Sequence, residues 1–357
     1  MSTGAGADKP LGRPPTMGDV ADRVGVSRQL VGIVFRNDRG VSAETRERIL
    51  RAADELGYQP HIAARTLRQR SSMHVGVVFN PAHASEVDIV DALYPATAAE
   101  GYGVVLSAMT STRNASTAVS EVLGYRCAAL LIIGSVMGTD ELRTLSGKIP
   151  VVLIGTAGAQ DTGCDYVQSA GDVGVADMVD HLATLGHRDI AYIYGGGMAS
   201  ADLRHRGYLG AMKRLSLPAR TVRIADDYTE ESGARAAHIL LQDSAFPSAF
   251  PTAVVASNDH SAVGFIHTCL QSGVRVPDDV SVTGFDDSRV ARLSYVDLTT
   301  VRQDGQQVAE ASVAAAVSRI KGRLSAIETL ISPSLVIRTS TSRPRRKTRV
   351  LRSSRSA

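Results

Sequence analysis

At 357 residues, 44% apolar and 21% charged, the chain is too long for one ordinary core and predicts two or three folding units. No apolar run reaches the roughly 18 residues of a membrane span, and the opening MSTGAGADKPLGRPPT lacks the apolar core of a secretory signal. Three widely spaced cysteines (Cys127, Cys164, Cys269) exclude a disulfide framework or a dense Cys metal site and fit a reducing cytoplasm, while 39 Lys and Arg against 36 Asp and Glu leave a net charge of only +3.

That charge is uneven along the chain. From Arg338 onward there are eight basic residues and no acid, so everything before them sums to −5. Residues 16–70 nevertheless hold ten Arg against seven acids, a net of +3. A basic front segment on an acidic body is the pattern of a nucleic-acid-binding head joined to a separate regulatory domain. By composition, residues 1–15 and the basic tail 341–357 are expected to be disordered.

The front segment reads as three short helices. Thr16, with Asp19 three residues on, makes a capping-box-like start, and Val20, Ala21 and Val24 follow as an apolar stripe. Gly25, tolerant of positive φ, ends this helix in a sharp turn. Ser27 caps a second helix from Arg28 to about Arg36, with Leu30, Val31 and Val34 facing inward. A third starts at the cap Ser42 and runs to Gly57, with Ile49, Leu50, Ala53 and Leu56 at helical spacing. Helix, glycine turn and capped second helix form the helix-turn-helix pattern.

The body alternates β-branched runs with amphipathic stretches. Strands are predicted at 74–79, 103–109, 128–134, 150–155, 190–195, 252–256, 280–285 and 335–339. Helices are predicted at 171–186, 201–216, 229–242, 261–273 and 304–322, and at 85–101 with a kink or a short first half at Pro95. This alternation means βαβ units and parallel sheets, and so many strands suit two doubly wound lobes. No catalytic constellation appears. Gly195-Gly196-Gly197 lacks the dinucleotide spacing, Gly147-Lys148 lacks the upstream glycine of a phosphate loop, and the nine His are scattered without metal spacing. His181 and His187 read as helix-surface and turn residues. No enzyme activity, cofactor or metal is expected.

The ordered motifs of the front segment resemble the DNA-binding head and hinge of the LacI/GalR bacterial regulators. They are D-V-A at 19–21, G-V-S at 25–27, V-S-x-x-T-R at 41–46, A-x-x-L-G-Y-x-P at 53–60 and A-R-x-L-R at 64–68. The likeness continues through S-N-D at 257–259, V-P-D-D-V-S-V-T-G-F-D-D at 276–287 and L-T-T-V-R-Q at 298–303, spanning about residues 16–340. It implies an all-α helix-turn-helix head at 16–60, a hinge helix and linker at 61–73, and a periplasmic-binding-protein-like effector domain at 74–340. One lobe is expected at 74–166 and 302–328, the other at 167–301 and 329–340.

Arg28 and Gln29 stand at the start of the second helix, from which side chains reach base edges in the major groove. Arg can bridge guanine O6 and N7, and Gln adenine N6 and N7. Thr16, Ser27 and Arg36 are placed to bind phosphate. Where the family usually has Thr-Val-Ser-Arg, this chain has Leu30-Val31-Gly32-Ile33, so Gly32 is read as permitting close approach to DNA or to another helix. The hinge-like run at 61–68 is too short to be helical alone and is expected to order when two copies meet on DNA. There Leu67 would wedge into the minor groove, with Ala64 beside it and His61 at the start.

By the same resemblance, Arg204, Tyr228, Asn258 and Asp286 match effector-binding positions at the carboxyl ends of strands. Two stretches depart from the family: the first loop reads NPAHASEVD, and Ala170-Gly171 stands where an Asp-Asn pair is usual. The reading is a cytoplasmic, nucleoid-associated homodimer acting on a double-stranded operator, most simply a repressor released by a small effector such as a sugar. A ligand-activated or corepressor-dependent regulator with a non-sugar effector such as a nucleobase, or more remotely a solute-binding protein, is the alternative.

Overall fold

The computed structural model describes residues 14–35, 38–58, 72–134, 137–155, 161–195, 199–224, 228–243 and 249–345. It divides into two compact units, residues 1–72 and 73–357.

In the first unit, α1 (Met17–Val24), α2 (Arg28–Phe35) and α3 (Ala43–Leu56) enclose a small core of Val20, Ala21, Val31, Val34, Ile49, Ala52, Ala53 and Tyr58. The start of α1 is a true capping box, with Thr16 N–H donating to Asp19 Oδ2 at 2.7 Å and Asp19 N–H to Thr16 Oγ1 at 3.4 Å. Such a cap stabilises a helix by about 1 kcal/mol. Gly25 ends α1 at φ 74°, as the turn requires. Arg46 ties the helices together by donating to the carbonyls of Val34 and Asp38. Leu50, expected inward, is 46% exposed. The buried stripe of α3 is Ile49, Ala52 and Ala53, at i, i+3 and i+4, and Leu50 lies one residue, some 100°, around the helix from it.

The second unit holds two six-stranded sheets. The first has the order β11-β5-β4-β3-β1-β2 and is parallel throughout. Its strands are β1 (His74–Phe79), β2 (Gly103–Ala108), β3 (Ala129–Ile133), β4 (Val151–Ile154), β5 (Asp165–Ser169) and β11 (Glu328–Ile331). β3 and β4 are buried along their whole length, so their continuous apolar runs have helices on both faces, as parallel strands demand. The second sheet has the order β12-β10-β9-β8-β6-β7. It comprises β6 (Ile190–Gly195), β7 (Arg220–Ile224), β8 (Ala253–Val255), β9 (Ser281–Asp286), β10 (Thr299–Arg302) and β12 (Ser334–Val336). Only β12 runs antiparallel to its neighbour.

Helices α4 (Ala84–Ala99), α5 (Ala115–Gly124), α6 (Thr139–Ser146) and α11 (Gly305–Ile320) belong to the first lobe. The second lobe has α7 (Gly171–Leu185), α8 (Ala199–Arg214), α9 (Glu230–Leu241) and α10 (Asp259–Gln271). Pro95 does not divide α4. It sits on the exposed side of an unbroken helix, where a carbonyl deprived of its N–H partner can turn to water.

The chain passes between sheets after Ser169, after Arg302 and after Ile331. These crossings correct the lobe limits read from sequence, which placed 167–169 and 329–331 in the second lobe and residue 302 in the first. β5, β10 and β11 are short and interspersed with polar residues, so no apolar run marks their ends. His187, in the turn that follows α7, is buried at 1% exposure. Its ring bridges Thr252 Oγ1 at 3.0 Å and the carbonyl of Ser342 at 2.8 Å, holding the last described segment to the second lobe.

Candidate functional site

The start of α2 is an exposed polar corner of the head. Ser27, Arg28 and Gln29 are all exposed at the start of α2, and Ser27 Oγ accepts from Leu30 N–H as the helix cap. Thr16 is partly buried, and its hydroxyl donates to Asp19 Oδ2 at 2.7 Å. Gly32 is buried beside Val31 and Val34, so it faces the packing of the head and not the exposed corner. Arg36, His61, Ala64 and Leu67 lie outside the described residues.

In the second unit the carboxyl ends of both sheets converge on a cleft between the lobes, about 840 Å³ counted to its open mouth. It is lined by all four residues read from sequence, Arg204, Tyr228, Asn258 and Asp286. Arg204, on α8, is 8% exposed. It donates to the Ser257 carbonyl at 2.8 Å and to Asp286 Oδ1 at 3.4 Å, and its guanidinium lies 3.7 Å from the centroid of Phe285. Asp286, at the end of β9, also accepts from Gln303 Nε2 at 2.6 Å. It adopts φ 111°, a left-handed conformation that costs a non-glycine residue energy and turns the carboxylate towards the cleft.

Asn258 serves first as a helix cap. Its Oδ1 accepts from Ser261 N–H and Oγ at 2.9 and 2.8 Å, and its Nδ2 donates to the Tyr228 carbonyl at 3.0 Å. It thereby ties the start of α10 to the residue just ahead of α9. Tyr228, at φ 61°, faces His83 of the other lobe with ring centroids 6.3 Å apart.

Several cleft residues escape the sequence reading. From the first lobe come His83, Glu86, Gln168 and Ser169; from the second, His260; from the strand that crosses back, Gln303. His83 Nδ1 lies 2.7 Å from Glu86 Oε1, and Glu86 Oε2 accepts from Asn80 N–H at 2.7 Å. Their traces in the sequence are the unusual loop at 80–88, which holds His83 and Glu86, and the L-T-T-V-R-Q motif that ends at Gln303. Among the described lining residues Arg204 is the only Arg or Lys.

Behind the cleft lie two further buried carboxylates. Asp259 accepts from Ser288 N–H, Ser288 Oγ and Thr300 Oγ1. Burial pushes both Asp259 and Asp286 above the ordinary carboxylate range; the charge of Asp286 adds to the rise at Asp259, while Arg204 and Gln303 oppose it at Asp286. Asp287 takes the opposite course. Burial works to raise it, yet Arg338, Arg302 and Arg292 hydrogen-bond to it and hold it below that range.

The geometry is that of a binding cleft on a unit linked to a helix-turn-helix head, and comparison with known proteins agrees. The profile for bacterial regulatory proteins of the lacI family matches residues 16–61, and that for a periplasmic binding protein-like domain matches residues 179–341. A LacI transcriptional regulator from a Rhodococcus species is 37% identical, covers 76% of this chain and 99% of its own, and superposes with a TM-score of 0.72. The chain belongs to the LacI family. Other LacI-family likenesses span more of its length. The transcriptional repressor PurR of Yersinia pestis (strain Pestoides F) is 29% identical, covering 91% of this chain and 96% of its own. The lac repressor dimer bound to operator and the anti-inducer ONPF is 28% identical, with a TM-score of 0.79 over 92% of this chain and 100% of its own. In this LacI-family chain the two matched stretches take in the head and most of the second lobe, while His83, Glu86, Gln168 and Ser169 fall outside both.

Proposed function

We propose that the chain is a DNA-binding transcriptional regulator, a repressor that acts as a homodimer on a near-palindromic operator and is controlled by a small effector held between the lobes. It works by binding and not by catalysis, in the cytoplasm and on the nucleoid. The observation that carries the effector reading is the Arg204–Asp286 pair, buried at the carboxyl ends of the strands in a cleft both lobes line. Arg28 and Gln29 supply the base-reading side chains and Ser27 a phosphate contact, while Thr16 lends its hydroxyl first to its own cap. Effector binding changes the lobe arrangement and lowers operator affinity, a coupling typically of about 1–3 kcal/mol.

The cleft favours an uncharged polyhydroxylated ligand such as a sugar. Carboxylates and amides accept and donate to hydroxyls, and the single guanidinium is already committed to Asp286 and Ser257. A planar nucleobase is favoured by flat apolar faces, and among the described residues the lining offers only the rings of Tyr228, His83 and His260.

Selection of bound fragments from genomic DNA tests this reading. Recovery of a shared two-fold sequence, released by a metabolite whose genes lie beside it, is the expected result. Equal binding to random duplex under every condition overturns it.

A further inference from the structure

Among the described residues, Ser169 Oγ, at the end of β5, and His260 Nε2, at the start of α10, are buried in the cleft without a hydrogen-bond partner. Ser169 is 7% exposed, and both side chains line the cavity, one from each lobe. A buried hydroxyl left unsatisfied weakens the fold, and such groups in a native protein call for a reason. His260 is also oriented. Its Nδ1 lies 2.6 Å from Glu230 Oε1; burial works to raise the Glu230 pKa, but hydrogen bonds from His260 and from its own backbone N–H hold it below the usual carboxylate range. With Nδ1–H donating to an ionised Glu230, the Nε2 of a neutral imidazole is left as an acceptor.

The support for this orientation lies in the backbone. α9 and α10 touch so closely that a Cβ on Gly264 would stand 1.8 Å from the Glu230 carbonyl oxygen, and one on Gly233 1.8 Å from that of Ser261. Two glycines thus let Glu230 and His260, on different helices, meet.

We propose that Ser169 and His260 are specificity-determining effector contacts that grip one uncharged ligand from opposite lobes, His260 Nε2 accepting a ligand O–H and Ser169 Oγ exchanging a hydrogen bond with a neighbouring polar group. The proposal rests on the cleft being an effector site. It names the contacts that sense whether the lobes have closed, since only a ligand touching both satisfies both atoms.

The test uses the full chain at about pH 8. It compares wild type with Ser169→Ala, His260→Asn, which keeps a donor to Glu230, and His260→Gln, which restores a polar atom near the Nε2 position. Without ligand, Ser169→Ala raises the melting midpoint by about 2–4 °C, because it removes an unsatisfied group; an unchanged or lowered midpoint overturns the proposal. Calorimetry with cellobiose, ribose and ribose 5-phosphate supplies the second readout. A sugar bound by wild type loses roughly 5- to 10-fold in affinity with Ser169→Ala and with His260→Asn, and His260→Gln recovers part of that loss. Undiminished binding in the first two variants, or binding of the phosphate ester alone, overturns the proposal; where none of the three binds, the ligand-free midpoint decides. Sugar binding that leaves operator occupancy unchanged sinks the regulatory reading instead, while the contacts stand.

Discussion

The guanidinium of Arg204 lies over the Phe285 ring, 3.7 Å from its centroid, and reaches the carboxylate of the next residue, Asp286, at 3.4 Å. Both members of the ion pair are 9% exposed at the side chain. Breaking such a pair by removing the cation leaves a buried carboxylate uncompensated, at a cost of about 3–5 kcal/mol. Arg204→Ala is therefore expected to lower stability by that order in denaturant titration, and Arg204→Lys to restore it only in part, since an ammonium cannot stack and fork at once.

Asp286→Asn separates ligand binding from folding. Asn tolerates the φ of 111° better than Ala does and keeps the shape of the side chain. The expected result is a lowered melting midpoint, since Arg204 loses its buried counter-charge, but a folded chain with intact operator binding and effector affinity reduced roughly 10- to 100-fold through loss of charged hydrogen bonds. Retained induction at wild-type effector concentration removes Asp286 from the site.

At the head, Arg28→Ala is expected to weaken operator binding by about 1–3 kcal/mol while leaving affinity for random duplex nearly unchanged. Equal losses on both DNAs, measured at one salt concentration, show that Arg28 contacts phosphate only.

Asp287 concentrates stability in one carboxylate. It is wholly buried and accepts from Arg338 at 2.6 Å, Arg302 at 2.7 Å and Arg292 at 3.1 Å, joining β9, β10 and the segment after β12. Asp287→Ala leaves Arg338, which is only 14% exposed, with the Leu298 carbonyl and the more distant Asp297 carboxylate as partners, and a loss of about 3 kcal/mol is expected. Chemical denaturation that shows less than 1 kcal/mol would refute the hub.

Acid sensitivity is expected at His187. Burial first, and His181 after it, depress the His187 pKa below 6.5, against the hydrogen bond to Ser342. The unfolded chain then binds a proton at a higher pH than the folded one, so stability falls as pH drops below about 6.5 towards the folded value. His187→Gln is expected to flatten that part of the melting curve against pH. An unchanged slope assigns the acid loss elsewhere.

The head was legible in the sequence because its determinants are local. Caps at Thr16 and Ser42, the turn at Gly25 and apolar spacing each act within one helical turn, and only Leu50 was assigned to the wrong face. The apolar central strands β1, β3 and β6 were equally legible, since a strand covered on both faces must be apolar throughout. Polar short strands were not: β5 (DYVQS), β7 (RTVRI), β10 and β11 carry no run that marks them, and the lobe crossings shifted with them. By itself the sequence determined a helix-turn-helix head on a two-lobed α/β body, and it marked Arg204, Tyr228, Asn258 and Asp286. Only the tertiary structure decided that Ser169, Glu86, His83 and His260 share the cleft with them. These residues come from separate strands and helices, and burial and pairing across such distances depend on packing that no local spacing encodes.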